Sequence, residues 1–304
     1  MRRLVALLLV VGPAACGPRA EDPATPAARA QAEAAPGEAV PEDIHTPTRD
    51  EPAQAPSFDG PPRTVLVELF TSQGCNSCPP ADALIGELTG PGLTDARVLP
   101  ITFHVTYWDD LGWRDPFGNQ LHDHRQIGYA RQLPDARSRD ESTIRGPYTP
   151  QMVVDGRVHF TGSLRDIAQA EIERASQEPA PVRLSAKAAL VGASIEVDVV
   201  SEPVAGAGLD TDKAKIGVFA ALLRKRATTE VPRGENAGKQ LAEFNVVLEL
   251  SGPKLFRSAR PVNDTHFTLA TPPHTAADDL EIAVFVQDLA TLTILNATAV
   301  AIPD

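Results

Sequence analysis

The sequence predicts an α/β domain followed by an all-β domain, and three observations carry that expectation. Between residues 63 and 178 short apolar runs alternate with segments of helical periodicity, the order of an α/β fold with short connections. Beyond a Glu178-Pro-Ala-Pro181 break the hydrophobic period shortens to two, the mark of half-buried strands. A Cys75-x-x-Cys78 pair stands where the first strand gives way to the first helix, which puts a candidate site at the head of the α/β part.

Residues 64–70 are almost continuously apolar and β-branched, as in a central strand covered on both faces. Pro79 and Pro80 follow the cysteines where a helix's first N–H groups have no intrahelical partner, so prolines cost nothing there. Leu84, Ile85 and Leu88 continue that helix at its own spacing to residue 89. A second buried strand is expected over residues 97–105, then an irregular stretch to residue 117. A helix over residues 119–133 is expected to turn Leu121, Ile127 and Ala130 inward. Residues 151–155 and 158–161 read as a β-hairpin around Gly156-Arg157. The last helix, residues 164–176, carries Leu164, Ile167, Ala168, Ile172 and Ala175 on one face. About seven short strands separated by turn residues follow from residue 182, which predicts a β-sandwich.

A chain of 304 residues is long enough for two modest domains, each with a core. Its formal net charge is −12, with no basic cluster after the first residues, which argues against a nucleic-acid partner. Met1-Arg-Arg precedes an apolar run over residues 4–11, far short of the roughly 20 residues that span a bilayer. Residues 1–15 therefore read as an export signal. Pro13-Ala-Ala-Cys16 resembles the lipobox of bacterial lipoproteins, which implies acylation of Cys16 and an anchor on the periplasmic side of the cell envelope. Pro13 replaces the aliphatic residue usual there, so cleavage to a soluble periplasmic or secreted protein is the alternative. Residues 16–62 are rich in Ala, Pro and Glu without apolar periodicity. Such a segment buries too little surface to offset its ordering entropy, and is expected to be a disordered tether. The expected domains are residues 63–178 and 182–304.

The chemistry expected at Cys75 and Cys78 is disulfide exchange, which needs one thiolate to attack, a second thiol to resolve the mixed disulfide, and no cofactor. A helix N-terminus moves a thiol pKa from about 8.5 into a range of roughly 3.5–7.5. Cys75 is expected to be the more exposed, attacking thiol and Cys78 the resolving one. Thr149-Pro150 opens the strand-turn-strand that Gly162 closes. Together these features resemble the thioredoxin superfamily. The resemblance implies a thioredoxin-like fold with a helical insertion over residues 108–133 and a cis Pro150 lying against the dithiol. It further implies that the backbone of Thr149 pairs with a substrate strand. It also suggests that Glu68, inside the first strand, is a buried acid taking the proton of Cys78; the alternative is a hydrated carboxylate at a strand end.

The longer wording is more specific. Val67-Glu-Leu-Phe-Thr-Ser-Gln-Gly-Cys75-Asn-Ser-Cys78-Pro-Pro, Phe103-His-Val-Thr-Tyr-Trp108, Tyr148-Thr-Pro-Gln-Met152 and Arg233-Gly-Glu-Asn-Ala-Gly238 are similar to the exported family known as domain of unknown function 1223. That resemblance runs from residue 63 to the C-terminus. It implies a thioredoxin-like fold and an envelope location, and supplies no substrate.

The leading expectation is thus a thiol–disulfide oxidoreductase acting on the thiols and disulfides of envelope proteins. A second is a metal chaperone: Cys75, Cys78 and His104 resemble the copper-handling branch of the superfamily, and thiolates with imidazole suit Cu(I) or zinc. That branch has three residues between its cysteines, and here there are two. A third is a binding module whose disulfide is only structural, although so short a loop gains little from cross-linking. His122 and His124 are expected on a solvated surface. Tyr107, Trp108 and Trp113 either line a groove or pack their loop down. Residues 233–238 either hold an acidic ligand or form a hairpin loop in which Gly and Asn take up positive φ.

Overall fold

The first strand sets the frame. In the computed structural model β1 (Thr64–Thr71) is buried from its second residue onward. Parallel β2 (Arg97–His104) lies on one side of it and antiparallel β3 (Gln151–Val154) on the other. Its alternate side chains serve two cores, since successive residues of a strand point to opposite faces. Val65, Val67 and Leu69 meet helices α1 (Pro79–Leu88) and α3 (Arg165–Ser176), while Leu66 and Phe70 face the other way. The structure describes residues 60–136, 146–210, 214–256 and 262–303. The expected export signal, Cys16 and nearly all of the expected tether lie outside them.

The fold class is α/β, with few helices and a large mixed sheet. Strand β4 (Val158–Thr161) completes the expected hairpin with β3. After α3 come β5 (Val182–Val191), β6 (Ser194–Pro203), β7 (Ile216–Val231), β8 (Lys239–Leu255), β9 (Asn263–Ala270), β10 (Leu280–Asp288) and β11 (Ile294–Ala301). The expected seven strands are therefore present beyond residue 182, but they do not keep to themselves. Four of them extend the first sheet, in the order β11-β10-β7-β8-β2-β1-β3-β4, and β5, β6 and β9 form a separate sheet.

The seam is β2 against β8, parallel, at Thr102 and Val246. Pro100 has no N–H to give to a ladder, and side chains take over the joint. Thr102 Oγ1 donates to the Phe244 carbonyl at 2.8 Å and Asn245 Nδ2 to the Pro100 carbonyl at 2.8 Å.

The long sheet bends back so that β11 meets β1. Arg63 Nη2 donates to the Ile294 carbonyl at 2.5 Å, and the Ile294 N–H donates to the Asp155 carbonyl at 2.8 Å. Inside the bend Leu66, Phe70, Ile101 and Phe103 pack on Phe219, Leu223, Phe285 and Ile294. Outside it, the three-stranded sheet covers Val218, Ala220, Leu222, Ile282 and Val284 with Ile195, Val197, Phe267 and Leu269. Among the described residues no helix is long and apolar enough to cross a membrane.

Helix α2 (Gln120–Gln132) corrects the sequence reading of its inner face. Its buried residues are His122, Gln126, Tyr129 and Ala130, while Leu121 is 58% exposed. The cause is the polar opening of the core that it covers. Arg125 reaches between four rings, those of Phe103, Tyr129, Phe219 and Phe285, with centroid distances of 5.0–5.6 Å. Its guanidinium ends on the Glu68 carboxylate at 2.5 Å. An ion pair in such a place favours a helix with a polar stripe.

Candidate functional site

Strand β1 ends at Thr71 and the chain turns at once. The Cys75 N–H donates to the Ser72 carbonyl at 3.0 Å, and the Cys78 N–H to the Cys75 carbonyl at 3.3 Å. Cys78 caps α1, with Pro79 and Pro80 in the first two helical positions, as expected of residues without a useful N–H. Cys75 and Cys78 are joined in a disulfide, their Cα atoms 5.5 Å apart. Asn76 and Ser77 are exposed between them, but neither cysteine has any exposed surface.

This burial corrects the expectation that Cys75 is an exposed attacking thiol at the helix start. It is Cys78 that stands at the helix end, and Cys75 is covered by segments distant in sequence. Residues 105–118 form the first cover. Trp108 packs against Gly74, where an added Cβ would meet its Cβ at 3.1 Å. Its Nε1 donates to Thr149 Oγ1 at 2.8 Å, and Trp113 Nε1 donates to Gln73 Oε1 at 3.0 Å. The two tryptophans pack this loop down rather than line a groove, and Tyr107 is half exposed with its hydroxyl on Gln126.

The second cover is the tip of the β7–β8 hairpin, residues 232–238. Gly234 and Gly238 take positive φ, 79° and 78°, as expected of glycine in a tight loop. Asn236 does not. Its side chain is completely buried, and Nδ2 donates to the carbonyls of Gln73 at 2.9 Å and of Cys75 at 3.0 Å.

Thr149–Pro150 is a cis peptide bond. Pro150 lies by the start of α1: a Cβ placed on Gly162 would touch Leu69 at 2.8 Å, Ala81 at 3.2 Å and Pro150 at 3.3 Å. Glycine is thus required where the hairpin passes the dithiol helix. The structure brings together Cys75, Cys78, Thr149 and Pro150, with Trp108 as the bridge between the two loops. Glu68 is not among them. It is 1% exposed, faces the core opposite α1 and is held by Arg125. It is neither the proton acceptor of Cys78 nor a hydrated strand end, because β1's alternation turns it away from α1.

A layer of buried charge lies beneath the loop instead. His104 Nδ1 and Asp115 Oδ2 are 2.7 Å apart, and the Gln73 N–H donates to the same oxygen at 2.7 Å. Gln73 Nε2 reaches Glu243 at 3.0 Å and Thr229 at 2.9 Å. Burial alone would lower the His104 pKa, but the Asp115 carboxylate and its hydrogen bond, with Glu243 and Asp82, raise it to about 9. Burial pushes Asp115 up, and His104 overcomes this to hold it below its usual value. Burial raises Glu243.

Asp82, in the first turn of α1, is pushed by burial to about 7 against the pull of His104. It is one helical turn beyond Cys78, to whose carbonyl its own N–H donates at 3.2 Å. Sequence reasoning missed Asp82, although its i+4 spacing from Cys78 and i−3 spacing from Ile85 set it on the helix's inner face.

His122 is buried, not solvated: its Nδ1 donates to the His104 carbonyl at 2.8 Å, and burial lowers its pKa to about 4. His124 is exposed. His104 turns Nδ1 to Asp115, and among the described residues no group of three His, Cys, Asp or Glu side chains is placed to hold a metal ion.

Known proteins bear on this geometry. The family model described as "Protein of unknown function (DUF1223)" matches residues 66–287, a span that includes the disulfide loop, Pro150 and the hairpin tip. No curated protein matches the chain. Among solved structures, a protein of Agrobacterium tumefaciens is 27% identical, with 77% of this chain and 92% of that one covered at a TM-score of 0.53. HBP35 of Porphyromonas gingivalis is 14% identical, with 81% and 77% covered and a TM-score of 0.59. The latter likeness is one of fold.

Proposed function

Because this chain belongs to the DUF1223 family, whose description assigns no activity, we propose its function from the site itself: thiol–disulfide exchange through Cys75 and Cys78. The observation that carries this reading is the Cys75–Cys78 disulfide at the cap of α1, linked through Trp108, which packs on Gly74 and donates to Thr149, to the cis Thr149–Pro150 bond. That arrangement is also what supports a thioredoxin-like reading of residues 63–178, with residues 108–133 as the insertion.

In the forward direction a partner's thiolate attacks Cys75 Sγ. The Cys75–Cys78 bond breaks and Cys78 leaves as a thiolate. Asp82, which burial keeps protonated up to about pH 7, is the acid placed to give Cys78 its proton. A second thiolate of the partner then attacks the mixed disulfide and releases Cys75. Two partner thiols become a disulfide, and this chain gains two electrons and two protons. The reverse direction runs the same steps backwards. Thr149 and Pro150 present backbone to the partner strand, and Glu68 serves the fold.

The partners are exported polypeptides carrying thiols or disulfides. The support is the basic and apolar sequence of residues 1–15 and the Cys16 lipobox resemblance, which together favour the periplasmic side of a bacterial envelope, with a lipid anchor at Cys16. The test uses the oxidised full chain and a reduced, unfolded protein that needs disulfides. Disulfide transfer is expected, and reduced Cys78→Ser, given the same protein in its disulfide-bonded form, attacks it through Cys75 and holds it there as a mixed disulfide. No transfer in either direction, with no trapped species, overturns the reading. A second reading, a disulfide that only staples its loop, is favoured by the complete burial of both cysteines, and predicts that failure.

A further inference from the structure

An exchanging disulfide has to meet a sulfur from outside, yet here both cysteines are buried and the hairpin tip is bonded to the backbone around Cys75. The contacts of that tip are of a particular kind. Asn236 Nδ2 gives hydrogen bonds to the Gln73 and Cys75 carbonyls at 2.9 and 3.0 Å, and Glu235 Oε2 accepts one from the Asn76 N–H at 3.2 Å. Lys239 Nζ, at 2.9 Å from Asn236 Oδ1, fixes which way the amide faces. These are backbone groups on both sides of Cys75, satisfied by a donor and an acceptor, as an extended polypeptide satisfies the chain it docks on.

The tip is also built to move as a piece. The Gly238 N–H closes it on the Val231 carbonyl at 2.7 Å. Pro232, Arg233, Glu235, Ala237 and Gly238 are exposed, and Asn236 alone is buried. Its approach to the first cover is glycine on glycine, Gly234 beside Gly112, with the Trp113 Cβ the nearest side-chain atom to Gly234.

We propose that residues 232–238 are an intramolecular strap that occupies the partner's docking position over Cys75, latched by Asn236 and Glu235, and that the strap lifts before a partner polypeptide engages. This role rests on the exchange reading, and it adds control of access: the closed protein keeps its disulfide from small thiols, and a partner gains entry by taking over the Gln73, Cys75 and Asn76 backbone groups.

The test is the rate at which dithiothreitol reduces the disulfide of the folded, oxidised full chain, followed by acid quench and thiol labelling. Dithiothreitol supplies both electrons and closes to its cyclic disulfide, while Cys75 and Cys78 become thiols. Asn236→Ala removes two hydrogen bonds and is expected to speed reduction about tenfold. Glu235→Ala, at an exposed residue, is expected to speed it about threefold and decides the matter if Asn236→Ala does not fold. Folded variants that reduce at the wild-type rate overturn the strap, even if Cys78→Ser traps a partner. Faster reduction with no disulfide transfer to or from a protein probe supports the strap and removes the exchange reading instead.

Discussion

Replacing Asp82 by asparagine keeps the side chain's shape and removes its charge, which makes the cost of that charge measurable. Burial raises the Asp82 pKa from 3.8 to about 7. The folded protein therefore holds this proton more tightly than the unfolded chain does. Stability from this group is whole below pH 3.8, declines as the pH rises toward 7 and stays low beyond it. The interval of about 3 in pKa corresponds to about 4 kcal/mol at pH 8. Asparagine avoids that cost and gives up no hydrogen bond of Asp82 Oδ1, which has no partner. Asp82→Asn should then exceed the wild type by about 4 kcal/mol at pH 8 and by about 1 kcal/mol at pH 4.5. Urea unfolding of the oxidised proteins across that range is the assay. If Asp82 also supplies the proton of Cys78, the stabilised variant exchanges disulfides about a hundredfold more slowly at neutral pH. Parallel stability curves for the two proteins, or a variant less stable at pH 8, would refute the reasoning.

Two further outcomes follow from packing. Glu68→Leu leaves the Arg125 guanidinium among its four rings without a carboxylate, which should cost about 3–5 kcal/mol in urea unfolding. The rate of disulfide reduction in the folded protein should be unchanged, because Glu68 faces the other core; a loss under about 1 kcal/mol would contradict the assigned role. Gly162→Ala forces a methyl against Leu69, Ala81 and Pro150 at 2.8–3.3 Å and should cost about 1–3 kcal/mol. An unaltered thermal midpoint would mean that the hairpin does not press on α1 as described.

What could be read from the sequence was what local periodicity controls. β1, β2, the β3–β4 hairpin, α1 and α3 each announce themselves through spacing and turn residues, while the cis Pro150 comes from the family resemblance. The misreadings share one cause, dependence on partners far away in the chain. Periodicity gives α2 an apolar face of Leu121, Ile127 and Ala130, but of these only Ala130 is buried, because Arg125 of α2 reaches Glu68 in the core beneath it, and no local rule supplies that partner. Pro100 and Thr102 in β2 look like any strand interior, and nothing in them foretells Phe244 and Asn245 across the seam. Asn236 resembles a turn residue until its amide is found on the Cys75 carbonyl. The sequence reading takes Glu68 as the acid near the dithiol and passes over Asp82; the strand's alternation turns Glu68 to the opposite core, and the helix's phase sets Asp82 on the buried side of α1.

The seam between β2 and β8 also fixes an order of events. A chain grows from its N-terminus, so Cys75 and Cys78 exist well before the residues that pave them over. Until β8 arrives, β2 has one side without its neighbour and the Cys75 loop lacks Asn236. In that interval the two sulfurs can be joined as readily as in an open peptide. Once Thr102 and Val246 have paired and Asn236 has reached the Cys75 carbonyl, both cysteines lie without exposed surface. On the strap proposal, a partner that meets the finished fold reaches the disulfide only once that cover lifts.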